Sequence, residues 1–424
     1  MREILIYRWI NINDHTDYVN LHKSIDKWFN GQCPNFGNKL WYQGLISEIS
    51  TPENKIDYYN SDMKIEEINE KYDLIIYPMA NIFSVEFSNG LPQITEFVKQ
   101  LKIPIFVISC GAQANGYDEL NELCDNIGEV SKDFISSVYN TGGQFALRGY
   151  FTAEFFSKLG FNNPAVVGCP SLFQSGRNLK IKKKVVSKEE FKPAFNGNFV
   201  MLRNYFSEYD NSIFYDQDIF YNILYNNSFF NKKDSSKSNI TKLLKYNLGG
   251  IELAELVYND RIRLLADMWD WQDSFVREKI SFSFGSRIHG NIMALLSGVP
   301  AVVVGFDSRT REMAEFYDIP CIQSFDDIKP KNLYALYESL DYSKFNNSFE
   351  KKYDSFENFL IKCGIVNKIN TSNKYLNKYN GEYPTKSDYI NKDIKKYAKR
   401  IIDKKCFYGP YLGILRLYLK YFRT

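Results

Sequence analysis

The sequence predicts an α/β protein built from two doubly wound parallel sheets. Three observations carry this expectation. Short, wholly apolar runs alternate with helical patterns along most of the chain, as successive βαβ units require. A polar stretch from Lys180 to Pro193, holding six lysines and no apolar period, interrupts the alternation and reads as a linker. At 424 residues the chain is too long for one ordinary core and fits two domains with added segments. The expected division is residues 1–185, residues 195–345 with an insertion at 210–246, and a basic, mainly helical extension over 346–424.

In the first domain, Glu3 to Trp9 reads as a strand, because the charges inside it do not suit a signal peptide. The loop from Gly31 to Leu40 contains Asn35 and Asn38 and enters a helical pattern through Trp41, Leu45, Ile46 and Ile49, which makes it a candidate ligand loop. Asp73 to Tyr77 is a buried strand that ends in Pro78-Met-Ala-Asn81. A helix is expected over Leu91 to Leu101, and a strand over Ile103 to Ser109 opens into Gly111. Phe134 to Tyr139 reads as the end of a helix. The strand Gly143 to Arg148 then places Arg148 at its carboxyl end. A helix over Thr152 to Leu159 and a strand and turn over Ala165 to Ser171 follow. Asn38, Gly111 and Arg148 thereby share the edge at which such sheets bind ligands.

Asn198 to Arg203 is expected to be the first strand of the second domain. Asp210 to Tyr246 is aromatic-rich and then loop-like, and reads as an insertion over the cleft; its composition fits either an acceptor-holding segment or a surface loop. Helices are expected over Ile262 to Met268 and Asp273 to Glu278.

Ile280 to Phe284 is a buried strand stopped by Gly285-Ser286. A helical stripe follows through Ile288, Ile292, Leu295 and Leu296, ended by Gly298 and Pro300, and Ala301 to Val304 is the next strand. Arg287 and His289 sit at the start of that helix beside Ser286 and Gly290. A guanidinium, an imidazole and free N–H groups there make an anion site with a proton donor next to it. His289 is one of only three histidines. A helix over Arg309 to Tyr317 and a short strand over Ile319 to Ile322 come next. A helix over Lys351 to Ile365 leads to an Asn/Lys-rich loop and a tail with eleven Lys/Arg against three Asp between Lys386 and Arg423.

Composition excludes several classes. A net charge of +3 argues against a general nucleic-acid binder. The seven cysteines are scattered without C-x-x-C spacing, so neither a disulfide framework nor a zinc site is expected, and a reducing cytoplasm is the natural compartment. No run reaches the ~20 apolar residues of a membrane span. Aromatics make up 16% of the chain, which fits a saccharide surface or simply an AT-rich coding sequence. The aromatic and basic tail fits peripheral contact with an anionic membrane or a helix packed back on the protein.

The stretch Gly285-Ser-Arg-Ile-His-Gly290, with Ala294-Leu295 and Gly298-Val-Pro300, resembles the polysaccharide pyruvyl transferase family, whose pattern is G/S-x-R-x-H followed by A-L-x-x-G-V-P. Asn35-Phe-Gly-Asn38 is similar to its N-x-G-[ND] loop, Ala146-Leu-Arg148-Gly149-Tyr150-x-x-Ala153 to its V-R-D-x-x-S-A segment, and Lys102 to Gly111 to its central strand. The likeness spans about Ile4 to Ile322. Gly149 departs from it, standing where the family commonly has Asp, and Pro78-Met-Ala-Asn81 replaces an expected glycine-rich turn.

The resemblance implies two Rossmann-like domains facing across a cleft, in the GT-B manner. It also implies transfer of the enolpyruvyl carbons of phosphoenolpyruvate onto sugar hydroxyls, commonly as a cyclic ketal, with release of phosphate. On that implication Arg287 and Arg148 clamp the donor, and Asn35, Asn38, Gly111, Ser286, Gly290 and Arg309 line the substrate site. His289, its pKa raised by bound anions, is the general acid. Neither a metal nor a cofactor is expected. The acceptor is a saccharide, lipid-linked or nucleotide-linked, and a lipid-linked one suits the inner face of the cytoplasmic membrane. Two other readings stay open. One is a GT-B glycosyltransferase in which Glu312 or Glu315 holds a nucleotide ribose. The other is a non-catalytic saccharide-binding protein of envelope assembly, using the insertion and the tail.

Overall fold

The computed structural model describes residues 1–7, 37–162, 164–217, 255–256, 258–264, 268–365, 367, 395 and 399. Two parallel six-stranded sheets organise them. In the first, β1 (Arg2–Ile6) lies between β2 (Asn54–Tyr58) and β3 (Leu74–Pro78), and β4 (Ile105–Cys110), β5 (Phe145–Leu147) and β6 (Ala165–Val166) extend the β3 side. Strands β3 and β4 are buried at every residue, as a sheet covered on both faces demands. Ile4, Ile6, Leu74 and Ile76 face α1 (Gly37–Ile49). Leu5, Ile75 and Val107 face the opposite layer, formed by α2 (Ile65–Lys71), α3 (Leu91–Lys99), α4 (Leu120–Asn140) and α5 (Tyr150–Lys158).

The second sheet holds β7 (Pro193–Asn196), β8 (Ile213–Asp216), β9 (Ile262–Leu264), β10 (Phe282–Gly285), β11 (Ala301–Val304) and β12 (Cys321–Ile322), in the order β12-β11-β10-β7-β8-β9. The order reverses between β7 and β10, whose carboxyl ends lie side by side, Gly285 opposite Asn196. Such a switch point is where doubly wound sheets place their ligands. Around this sheet stand α6 (Phe199–Glu208), α7 (Met268–Arg277), α8 (Ile288–Leu296), α9 (Ser308–Tyr317) and α10 (Leu333–Ser339). One apolar cluster runs unbroken from Ile4 and Trp41 through Phe173 to Trp271 and Ile292, so the two sheets share a core.

Three expectations are corrected. Asn198 to Arg203 is not a strand: β7 ends at Asn196, and Phe199 begins helix α6. Leu202, Tyr205, Phe206 and Tyr209 are buried at spacings of three and four, a helical stripe that the short run Phe199 to Leu202 does not reveal by itself. Ile262 to Met268 is not a helix, since Ile262–Leu264 pairs in parallel with β8 as edge strand β9. The expected insertion cannot begin at Asp210, because Ile213–Asp216 is a wholly buried strand of the sheet. Residues 218–254 and most of the chain beyond 365, including the basic tail, lie outside the described residues, as does Asn35.

The lysine-rich connection carries neither helix nor strand before β7, yet it is pinned. Tyr334 donates to the Val186 carbonyl at 2.9 Å, and Asn346 exchanges two hydrogen bonds with the Ile181 backbone. Helix α11 (Ser343–Lys362) returns to the first domain. There Phe356 stacks on Phe173 with ring centres 5.1 Å apart, and the Tyr353 hydroxyl donates to Glu48 at 3.1 Å. Among the described residues no helix is long and apolar enough to cross a membrane.

Candidate active site

The turn after β10 is held by the strand beside it. Asn196, at the end of β7, accepts the Arg287 N–H on its side-chain oxygen at 3.0 Å and the Ser286 N–H on its carbonyl at 3.1 Å. Its amide donates to Ser283 and Asn291, and Asn291 donates back to the Gly285 carbonyl. This buried network fixes the start of α8, with Arg287 as the N-cap residue and His289 in the first turn. The helix N–H groups and dipole favour an anion at that end.

A narrow cleft opens there, lined by Asn38, Ala80, Arg148, Gln217, Ser286, Arg287, Ile288, His289, Phe306, Arg309 and Thr310. Six residues expected from the sequence therefore meet in one place: Asn38 and Arg148 from the first domain, Ser286, Arg287, His289 and Arg309 from the second. Gly111 stands behind the cleft wall, where a Cβ would lie 3.3 Å from Arg148 Cδ and 3.1 Å from a Glu312 oxygen. Gly290 packs against Gln217 and Asn196.

Arg148 is 1% exposed. Its guanidinium lies 5.9 Å from the Trp41 ring centre, and its Nε donates to Ser109 Oγ at 3.1 Å. Ser109 has φ 69°, a left-handed conformation that a serine adopts at some cost, and it sits where the β4–β5 register shifts. The strain turns its hydroxyl onto Arg148. Arg148 Nη2 and Arg309 Nε are buried without a hydrogen-bond partner among the described residues. Each such group costs about 1–3 kcal/mol until something accepts from it. Arg309 is only loosely paired with Asp307, at 3.5 Å, because Asp307 also caps α9 through the Thr310 N–H.

Burial holds the His289 pKa well below its usual value, and Arg148, Arg309 and Arg287 push it the same way. The expectation is of a pKa raised by bound anions; within the protein itself, burial and three neighbouring cations lower it. His289 Nε2 lies 3.8 Å from Cys169 Sγ, which in turn accepts from Ser171 Oγ at 3.2 Å. Among the described residues no cluster of His, Cys, Asp or Glu could hold a metal ion.

Neither acidic residue of the glycosyltransferase reading faces the cleft. Glu312 is fully buried and accepts the Thr152 N–H at 2.9 Å and its hydroxyl at 2.8 Å. Glu315 accepts from the Tyr117 hydroxyl at 2.6 Å and lies 3.7 Å from Arg311. Sequence reasoning missed Gln217, Phe306 and Asn196 in the site. Nothing local marks the first two, whereas Asn196 could have been found had β7 been placed correctly, as the last residue of the switch-point strand.

Fold and site together define a two-sheet α/β protein with a cationic cleft at the switch point of its second sheet. The pattern of the family described as Polysaccharide pyruvyl transferase matches residues 18–308, more than half of the chain, and the protein belongs to that family. The family's acceptors are saccharides. No curated protein matches the sequence. Similar solved structures include S. aureus MnaA with UDP, at 12% identity and TM-score 0.40, covering 86% of this chain and 98% of that one. A protein described as a UDP-N-acetylglucosamine 2-epimerase from Listeria monocytogenes is similar at 10% identity and TM-score 0.37, covering 86% of this chain and 96% of that one. Likenesses this loose carry no argument, and the fold rests on the two sheets themselves.

Proposed function

We propose that this protein transfers the enolpyruvyl group of phosphoenolpyruvate to two hydroxyls of a saccharide, forming a pyruvate ketal and releasing phosphate in the cytoplasm. The observation that carries this reading is the convergence of Arg148, Arg287 and Arg309 on His289, with Arg148 Nη2 and Arg309 Nε awaiting acceptors. A small donor with a carboxylate and a phosphate supplies them, and guanidinium forks match both groups. The binding of Glu312 and Glu315 to other side chains removes support for a nucleotide-sugar donor.

The donor's charge offsets the three guanidiniums and lets His289 take up a proton. His289 gives that proton to the methylene carbon as the first hydroxyl oxygen bonds to the central carbon. The carbon–oxygen bond to phosphate then breaks, the phosphate leaving with the electron pair, and the second hydroxyl adds to the oxocarbenium left behind. Of the two hydroxyl protons released, one restores His289 and the other leaves on phosphate. Arg148, Arg287 and Arg309 hold the carboxylate and phosphate throughout, with Asn38 and Ser286 beside them.

The test is phosphate release from phosphoenolpyruvate over a panel of saccharides, with wild type beside His289→Ala and Arg287→Ala. Acceptor-dependent release abolished in both variants is the expected result. A protein that neither releases phosphate nor gains thermal stability with phosphoenolpyruvate overturns the reading.

A further inference from the structure

His289 has two ring nitrogens, and proton transfer needs one of them to face the donor. Among the described residues its ring has one hydrogen-bond partner, Cys169, whose Sγ lies 3.8 Å from Nε2. Cys169 comes from the first domain, in the turn after β6, and His289 from the second. The thiol is wholly buried and outside the lining of the cleft, whereas His289 is part of that lining. Nε2 therefore turns toward the protein interior, and Nδ1 is the nitrogen left for the cleft.

The thiol is held in place from several sides. The Tyr317 hydroxyl, from α9, accepts the Cys169 N–H at 2.9 Å and donates to the Cys169 carbonyl at 2.5 Å. Gly168, at φ 81°, allows this approach, since a Cβ there would stand 2.6 Å from the Tyr317 oxygen. Ser171, also wholly buried, donates to Sγ at 3.2 Å. A thiol sulfur accepts an N–H without carrying charge, so it orients the ring and leaves it free to respond to a bound anion. A carboxylate in its place would charge the imidazole before the donor arrived. On the cleft side, the field of Arg148, Arg287 and Arg309 attracts a lone pair and repels an N–H. Both influences select the same tautomer.

We infer that Cys169 is a positioning residue for His289: its sulfur accepts the Nε2 proton, which leaves Nδ1 bare in the free protein and makes Nδ1 the nitrogen that carries the transferred proton. The tautomer stands on the geometry, and the transfer rests on the pyruvyl-transfer reading. Donor binding lets Nδ1 take a proton from water. Nδ1 gives that proton to the methylene carbon, and a hydroxyl proton of the acceptor restores it. The Nε2 proton stays on its nitrogen, directed at the sulfur, throughout.

The test is nitrogen NMR of full-length protein carrying isotope-labelled histidine, with wild type beside Cys169→Ser and Cys169→Ala. The chain has three histidines, and His289→Gln assigns the signals. Without ligand, wild type at neutral pH should show Nε2 protonated and Nδ1 bare, and phosphoenolpyruvate should then protonate Nδ1. Cys169→Ser, whose hydroxyl also accepts, should keep this tautomer and a kcat close to wild type. Cys169→Ala should show mixed tautomers and a kcat lower by about 10-fold or more, with the donor KM unchanged. A bare Nε2 in ligand-free wild type overturns the assignment, as does a Cys169→Ala variant with the wild-type tautomer. A changed tautomer with unchanged kcat overturns the role of Nδ1 in the transfer. If the alanine variant fails to fold, the wild-type and serine spectra decide. The ligand-free spectra contain no donor, so they test Cys169 even if phosphoenolpyruvate proves not to be the substrate.

Discussion

Glu312 fills the space that a side chain at position 149 would need. Gly149 is the N-cap of α5 and supplies no capping side chain. A Cβ there would lie 2.7–2.9 Å from the Cβ, Cγ and Oε2 of Glu312. Glu312 comes from α9, across the cleft, and takes the Thr152 N–H that a capping residue would take. The first turn of α5 is therefore capped from the other domain. Gly149→Asp should lower stability by about 1–3 kcal/mol through overpacking. Combined with Glu312→Ala, the same aspartate should recover more than half of that loss. A thermal or urea double-mutant cycle checks the coupling.

Burial raises the Glu312 pKa to about 8, against the lowering effect of the Thr152 bonds and of Arg148 and Arg309. The folded state then holds a proton that the unfolded chain releases at ordinary carboxyl pH. Stability from this group is full below that range and is lost as pH rises toward 8. Glu312→Gln should flatten the fall in melting temperature between about pH 5 and 8, relative to wild type. His289 acts in the opposite sense. Its folded pKa is depressed, so stability falls as pH drops below about 6.5, and His289→Gln should remove that part.

Arg148→Lys keeps the charge but gives up the planar fork over Trp41 and the Nε bond to Ser109. The donor KM should rise, with an affinity loss of about 2–5 kcal/mol as the upper range for a buried cation contacting an anion. Steady-state kinetics and phosphoenolpyruvate-induced melting shifts should agree on the size of the loss.

The pH profiles should separate the free from the loaded site. A general acid loses activity as pH rises through its pKa. In the free protein that pKa is depressed by burial and three arginines, and on the proposed reading a bound anionic donor would offset them. The alkaline limb of kcat should therefore lie at higher pH than that of kcat/KM, and donor binding should take up a proton, measurable as a buffer-dependent heat.

Ser109→Gly removes the strained serine while deleting the oxygen that Arg148 Nε uses. It should lower the melting temperature, because the strain that glycine relieves at φ 69° offsets only part of the about 1–3 kcal/mol that an unpartnered Arg148 Nε costs, and should raise the donor KM.

The Arg287–His289 turn was legible because its helix has a clear apolar stripe, a glycine stop and a strand on either side. Arg148 was legible as the end of a strand. Gln217 was hidden because β8 is only four residues long and reads as part of an aromatic loop. The run Phe199 to Leu202 fits either period, and its helical stripe emerges only over residues up to Tyr209. The pairs Thr152–Glu312 and Cys169–His289 lie 160 and 120 residues apart, and no local propensity brings such partners together.

The return of α11 to the first domain has a mechanical result. Among the described residues the chain passes between the halves near Ile181 and ahead of Ser343, and the paired bonds of Asn346 with Ile181 strap these crossings together. Held at the strap, at the polar contacts where Ala114 and Ser308 exchange bonds and Thr152 meets Glu312, and at the aromatic seat of Phe173 on Phe356, the two halves meet in one register.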